Sequence, residues 1–438
     1  MSRQDNRKKF ARYVSQNILG MIGFSCYVLA DSYFISVAKG ADGLTALNLV
    51  LPLYSLIFAV GSMIGAGSAI RFAIDRVKEG NQADRYFFNA LVWCIGASII
   101  FILAGLMFSD DIMRLLGADE RIVAVGNNYT KIFMCFAPMF MCNYVANAFV
   151  RNDGAPEIAM LATLFSSLFN IVFDYILMFP MKLGMEGAAL ATALSPVIGI
   201  TICCIHFFSK KSTIRIRVSR PSVKLLVSGC QLGVSAFVGE MSSAVITLAY
   251  NFVILGIAGN IGVAAYGVVA NIAIVTTAAF NGIAQGSQPL ISKCFGKGDR
   301  EGCLQLKKMG YITAFVLAGI MYCILFTFSK EFVAIFNSEG SEMMAVYADM
   351  GVKLYFTGIF FAGLNIVGSG VFSATQEAVK AAVVSVARGF VFILGFVFLL
   401  SYMFGMTGVW LAYAAAEGAT CVLMFVMLIS DRSKMRNK

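Results

Sequence analysis

Twelve apolar stretches run through this 438-residue chain, separated only by short polar breaks. They fall at 13–37, 45–72, 87–108, 123–150, 158–180, 187–208, 223–256, 262–291, 308–328, 343–374, 379–402 and 406–430. A helix crosses the hydrocarbon core of a bilayer with about 20 apolar residues, and each stretch is long enough. Inside hydrocarbon the backbone must satisfy its own polar groups, so only helices and closed barrels span it. The stretches show no period-two alternation, which excludes the barrel. The chain is 59% hydrophobic and 13% charged, against about 25% charged residues in a soluble domain. The expected fold class is an all-α integral membrane protein with 12 transmembrane helices. The first stretch is too long for a cleaved signal peptide and contains Asp31, so it is expected to remain as the first span.

Charge orients the chain. With the N-terminus in the cytoplasm, the loops and tails on that side hold 27 of the 34 Lys and Arg residues. The other side holds only Lys39, Arg114, Arg121, Lys131, Lys182, Lys330 and Lys353. This bias follows the positive-inside rule and predicts that both termini are cytoplasmic. The net charge of +10 is then explained by anionic lipid headgroups as partners, and no nucleic acid is implied. The 11 cysteines lie mostly within apolar runs, with no Cys-x-x-Cys and no Cys/His ligand spacing, and Cys203 and Cys204 are adjacent. They read as small buried side chains, and no transition-metal site is expected. His206, the only histidine, is expected at the cytoplasmic membrane interface. Lys131 and Lys353 are expected to snorkel to the opposite interface.

The chain repeats itself. At a shift of 221 residues, Gly61-Ser62-Met63-Ile64-Gly65 falls on Gly282-Ile283-Ala284-Gln285-Gly286, and Gly184-Met185-Glu186-Gly187 falls on Gly405-Met406-Thr407-Gly408. A basic loop follows the second span of each half, Arg71 to Arg85 and Lys293 to Lys308. The expected organisation is an N-lobe at 1–208 with spans 1–6, a basic cytoplasmic linker at 209–224, and a C-lobe at 225–438 with spans 7–12. Six spans per half give both halves one orientation, a parallel repeat about the membrane normal, with a central cavity as the natural substrate route.

Four acids fall inside spans: Asp31, Asp174, Glu240 and Glu417. A charge at a helix centre costs roughly 2.5–3.5 kcal/mol on the insertion scale, so these should face the bundle interior or water. The acids are read as the only mid-membrane charges. Asn170 and Asp174 are spaced i, i+4 and share a helix face, and Thr192 on the next span adds a hydroxyl. Carboxylate, amide and hydroxyl oxygens suit a hard cation such as Na⁺; desolvated carboxylates can carry H⁺ instead. Shifted by 221, Asp31, Asn170, Asp174 and Thr192 land on Phe252, Val391, Gly395 and Tyr413, so an ion site is expected in the first half alone. Glu240 and Glu417 are second-line candidates for substrate binding or coupling. Among the 38 Phe and 23 Met, some are expected to line an adaptable cavity. No Walker motif, nucleophile elbow or metal spacing occurs, so no enzymatic or ATP-driven chemistry is expected.

These residues carry a resemblance. Asp31-Ser32-Tyr33-Phe34, the Gly282–Ser292 stretch GIAQGSQPLIS, Asn170-xxx-Asp174 and Gly187–Thr192 together resemble the MATE family of multidrug and toxic-compound exporters, and within it the bacterial MepA-like branch. The resemblance covers nearly the whole chain. It implies two six-helix lobes in a bacterial cytoplasmic membrane, a cation site at Asp31, Asn170, Asp174 and Thr192, and a functional acid at Glu240. It also implies export of cationic amphiphiles in exchange for Na⁺ or H⁺, with that coupling ion and no other cofactor, by a monomer. Many family members carry a proline early in spans 1 and 7; this chain has Val14-Ser15-Gln16-Asn17 and Gly233-Val234-Ser235 there. The alternative reading is a flippase or exporter of lipid-linked saccharides or another small metabolite. A flippase of that kind needs basic cavity groups for pyrophosphate.

Overall fold

The computed structural model describes residues 3–78, 82–215, 218–336 and 341–436. Part of the basic loop 71–85, of the linker 209–224 and of the C-terminal tail lies outside them. Every regular element among the described residues is helical. The helices are α1 (Gln4–Gly40), α2 (Asp42–Val77), α3 (Ala83–Leu115), α4 (Glu120–Cys135 with Ala137–Asp153), α5 (Pro156–Met178) and α6 (Met185–Phe207). They continue with α7 (223–258), α8 (260–296), α9 (Arg300–Thr327), α10 (Glu342–Ala374), α11 (378–404) and α12 (406–429). A short helix, Ser329–Phe336, joins α9 to α10.

The twelve spans emerge only once breaks are recognised. α4 bends by 47° between its two segments, where Pro138 opens the second and cannot continue the hydrogen-bond ladder. α1–α2, α7–α8 and α11–α12 run through without a loop, turning at a single glycine. Gly40 has φ 59°, ψ −145°, Gly259 φ 60°, ψ −155°, and Gly405 φ 58°, ψ −136°. Gly184, which caps the start of α6, has φ 53°, ψ −126°. A side chain is strongly disfavoured in this region. The corners α1/α2, α5/α6, α7/α8 and α11/α12 thus use one backbone device, and the Gly184/Gly405 pair lies 221 residues apart.

Outward faces are apolar and uncovered. On α3, Ile100 is 70% and Met107 67% exposed, a surface only lipid accommodates. Inward, apolar side chains form two main cores. One draws on residues from Ile35 to Leu225. The other draws on Tyr250 to Ala416 and also takes in Phe10, Tyr13 and Val14 from the start of α1. That start was expected to be a cytoplasmic tail before residue 13; it is helical from Arg3 because Phe10 has a core to enter.

The two halves meet at the end that carries the basic loops. There α2 presses on α7, with Gly67 against Gly229 and Gly233. In the quasi-equivalent seam, α8 presses on α1; a Cβ on Gly286 would fall 2.8 Å from the carbonyl oxygen of Tyr13. Arg71 Nε donates to the Ser228 carbonyl (3.1 Å) and the Ser222 amide to Asn89 Oδ1 (2.7 Å). Asn6 Nδ2 donates to Gln305 Oε1 (3.3 Å). At the opposite end, near the glycine corners, no hydrogen bond joins the halves among the described residues. The molecule is closed at its basic end.

Candidate functional site

The site is built on the α5–α6 hairpin. α5 starts at Pro156, which its first turn tolerates, and carries Asn170 and Asp174 one turn apart on its inward face. Gly187 lets α6 approach the end of α5, since a Cβ there would lie 2.8 Å from the Leu177 carbonyl carbon. This brings Thr192 level with Asn170. Asn170, Asp174 and Thr192 are 0%, 0% and 1% exposed. The Asn170 amide is oriented so that its nitrogen donates to Asp174 Oδ2 (3.0 Å). Its oxygen then accepts from Thr192 Oγ1 (3.1 Å) and from the Thr192 amide (3.3 Å). The reverse orientation would set the amide oxygen against the carboxylate.

α1 contributes Asp31, itself buried and near enough to Asp174 for the two charges to act on each other. Asp174 Oδ1 and Asp31 Oδ1 are both buried without a hydrogen-bond partner. Two inward carboxylate oxygens with no donor are costly in a protein interior unless a proton or cation meets them. The α5–α6 hairpin thus joins Asn170, Asp174 and Thr192 by hydrogen bonds, and α1 sets Asp31 within electrostatic reach of them. Sequence reading missed their neighbours Tyr27, Tyr54 and Tyr129, which the same charges reach. The hydroxyls of Tyr54 and Tyr129 bond to each other. A tyrosine inside an apolar run gives no signal that separates it from packing.

Glu240, on α7, accepts from Tyr144 Oη of α4 (3.4 Å) across the seam between the halves, and its charge reaches the same Tyr27 as those of Asp31 and Asp174. Glu417 on α12 is 3% exposed and fully engaged. Its Oε1 accepts from Arg388 Nε (2.9 Å) and Nη2 (2.8 Å), and its Oε2 from Asn365 Nδ2 (2.7 Å). This corrects the expectation that all mid-membrane charges are acidic. Arg388, one of the 27 basic residues assigned to the cytoplasmic side, lies inside the stretch 379–402, in a π-helical turn of α11 at Ala387–Val391. The second half thus has its own buried polar cluster, at repeat positions unlike those of the first.

His206 lies in the last turn of α6. It is 3% exposed, with Nε2 2.7 Å from Asp153 Oδ2. Asp153 Oδ2 also accepts from Ser212 Oγ (3.1 Å) and the Thr213 amide (2.9 Å), which ties the linker to the base of α4. Lys353 pairs with Asp349 one turn back (2.8 Å). Among the described residues no group of three or more His, Cys, Asp or Glu side chains is arranged to hold a metal ion.

The described geometry can be set beside known proteins. A family model described as MatE matches residues 17–176 and 235–399. Multidrug export protein MepA of Staphylococcus saprophyticus is 27% identical over 425 residues, covering 95% of this chain and 92% of that protein. The MepA protein of a bovine Staphylococcus aureus strain is 27% identical over 423 residues, with the same coverage. Among solved structures, a MATE protein in complex with MaL6 aligns with a TM-score of 0.92 at 21% identity, over 99% of this chain and 98% of that one. An outward-facing multidrug-resistance MATE transporter of the MOP superfamily aligns at 0.89 with 22% identity, over 99% and 97%. The two family segments span most of both halves and take in the α5 site, so this chain belongs to the MatE family, a family of membrane transporters and not of enzymes.

Proposed function

We propose that this protein is a secondary multidrug exporter that moves cationic amphiphiles out of the cell in exchange for Na⁺ or H⁺. The observation that carries the reading is the pair of unpartnered carboxylate oxygens on Asp31 and Asp174, beside the Asn170–Thr192 bond. Asp31 and Asp174 supply charge, and Asn170 and Thr192 orient Asp174 Oδ2. A coupling ion arriving there neutralises a cost that the two buried carboxylates otherwise carry. Entry of one positive charge across 100 mV provides about 2.3 kcal/mol. The ion drives transport only by preferring one conformation of the halves.

In this reading an N-lobe at 1–208 and a C-lobe at 225–438 rock about the linker at 209–224. Both termini lie in the cytoplasm of a bacterium, the chain acts as a monomer within its lipid, and the closed basic end makes this the outward-open state. The exporter reading is favoured over a pyrophosphate-binding flippase because the mid-membrane cation, Arg388, is already neutralised by Glu417. The export relatives' names support drug-like substrates. The test is efflux of a fluorescent cation from proteoliposomes driven separately by a Na⁺ gradient and a pH gradient. One gradient should drive it, and Asp174→Asn should abolish it while leaving folded protein in the membrane. Undiminished gradient-driven efflux by Asp174→Asn would overturn the site assignment.

A further inference from the structure

We propose that Arg151 is the latch that holds the basic end closed, with Gln285 as its strike plate and Asn17 as its guide. Arg151 closes α4, next to the seam between α1 and α8. Its Nη1 donates to Asn17 Oδ1 (3.1 Å) on α1 and to Gln285 Oε1 (2.7 Å) on α8. The second bond crosses from one half to the other. Asn17 is buried, and its own Nδ2 donates to the Tyr13 carbonyl (2.7 Å). That bond fixes the amide so that its oxygen faces the guanidinium. Gln285 is held in place by the glycines that flank it: Gly282 lies against Asn17 and Ile18, and Gly286 against Tyr13 and Val14. The GIAQGSQPLIS stretch therefore acquires a physical reading, in which the glycines let α8 reach α1 and the glutamine meets the cation there.

The choice of partners makes this a latch instead of a weld. Both acceptors are neutral amides, and among the described residues no carboxylate sits within ion-pair distance of Arg151. The nearby acid, Asp153, is occupied by His206 and the linker. Arg151 Nε is buried with no acceptor at all. A guanidinium in this position gains charge-assisted hydrogen bonds when the end is closed, yet it remains partly desolvated and incompletely satisfied. When α8 withdraws, water replaces Gln285 and restores the lost hydration. The two states are thereby held close in free energy, as a transporter that must visit both requires. A carboxylate at 285 would create an interhalf ion pair and remove that balance. The quasi-equivalent seam is bridged differently: Arg71 Nε donates there to the backbone carbonyl of Ser228, while the positions shifted by 221 from Gln285 and Asn17 are Ile64 and Val238, both buried and apolar.

The test reads closure directly, by the rate of disulfide trapping between Asn6→Cys and Gln305→Cys in a background without the 11 native cysteines. These positions face each other across the same end. Arg151→Gln should slow trapping about fivefold or more, while Arg151→Lys should retain much of the parental rate. Gln285→Glu should trap at least as fast as the parent yet transport a fluorescent cation severalfold more slowly. Size-exclusion profiles and melting temperatures near the parental values would show that the variants fold. Equal trapping in the parent, Arg151→Gln and Gln285→Glu would overturn the latch. Trapping needs neither substrate nor ion gradient, so it separates failure of the latch from failure of the export reading on which its role in transport rests.

Discussion

Single residues decide which of the two buried polar centres is available for work. Asp174 keeps one oxygen without a donor, whereas Glu417 is saturated by Arg388 and Asn365. The second centre is therefore expected to be structural. Removing one partner of a buried ion pair strands the other and costs about 3–5 kcal/mol, while replacing both with apolar groups is often neutral. Arg388→Met and Glu417→Leu should each lower the melting temperature of the purified protein, and the double variant should recover most of the loss. Additive losses in a thermal melt of the three variants would show that the pair is not the unit of stabilisation. The first centre was legible in sequence because Asn170 and Asp174 sit at helical spacing and acids in apolar runs stand out. The second was not. Arg388 lies ten residues into α11, close enough to the preceding break to be counted with the loop, and a π-helical turn leaves no mark in a helical pattern. The His206 contact was likewise not legible, because its partner Asp153 is 53 residues away and only the fold brings them together.

Elements are punctuated by glycine, and the four corner glycines share nearly one pair of backbone angles. A residue with a Cβ held at φ near +58° with ψ near −136°, as at Gly405, is expected to cost about 1–3 kcal/mol. Gly405→Ala should therefore melt several degrees below the parent. Gly395→Ala, ten residues earlier in α11, is the matched control. A Cβ there meets nothing within 4 Å, and in a helix alanine is favoured over glycine, so its melting temperature should hold or rise. Comparable losses at both positions would refute the corner argument. The sequence shift found the Gly184/Gly405 pair directly. It missed Gly40/Gly259 and Gly43/Gly262, which lie 219 apart, because a constant shift of 221 puts them two residues out of register. The same economy hid helix ends: without loops at residues 40, 259 and 405, polar breaks were the only boundary signal, and α1 was begun ten residues late.

At the scale of the whole molecule, scaffold and chemistry follow different rules. The scaffold is duplicated, in six spans, glycine corners and small-residue seams, because each half must solve the same packing problem in lipid. The chemistry is not duplicated: an open acid site lies in the first half, a saturated pair in the second, and a side-chain amide meets an arginine on one seam where Arg71 meets a backbone carbonyl on the other. An asymmetric ion site on a symmetric frame makes the coupling experimentally separable. An ion that binds both conformations equally shifts nothing, however tightly it binds, and moving a 1:99 population to 99:1 takes about 5.5 kcal/mol of preference. Spin labels on Val37→Cys and Ile261→Cys, both exposed side chains near the glycine corners of opposite halves, report the separation of the halves at the end opposite the basic loops. Titrating Na⁺ at fixed pH and then pH at fixed Na⁺ should move the distance distribution in only one of the two series. Asp174→Asn should abolish that response, whereas Arg388→Met/Glu417→Leu should preserve it. If the distribution responds to the same ion in Asp174→Asn as in the parent, the ion acts elsewhere, and the first-half carboxylates do not couple it to the movement of the halves.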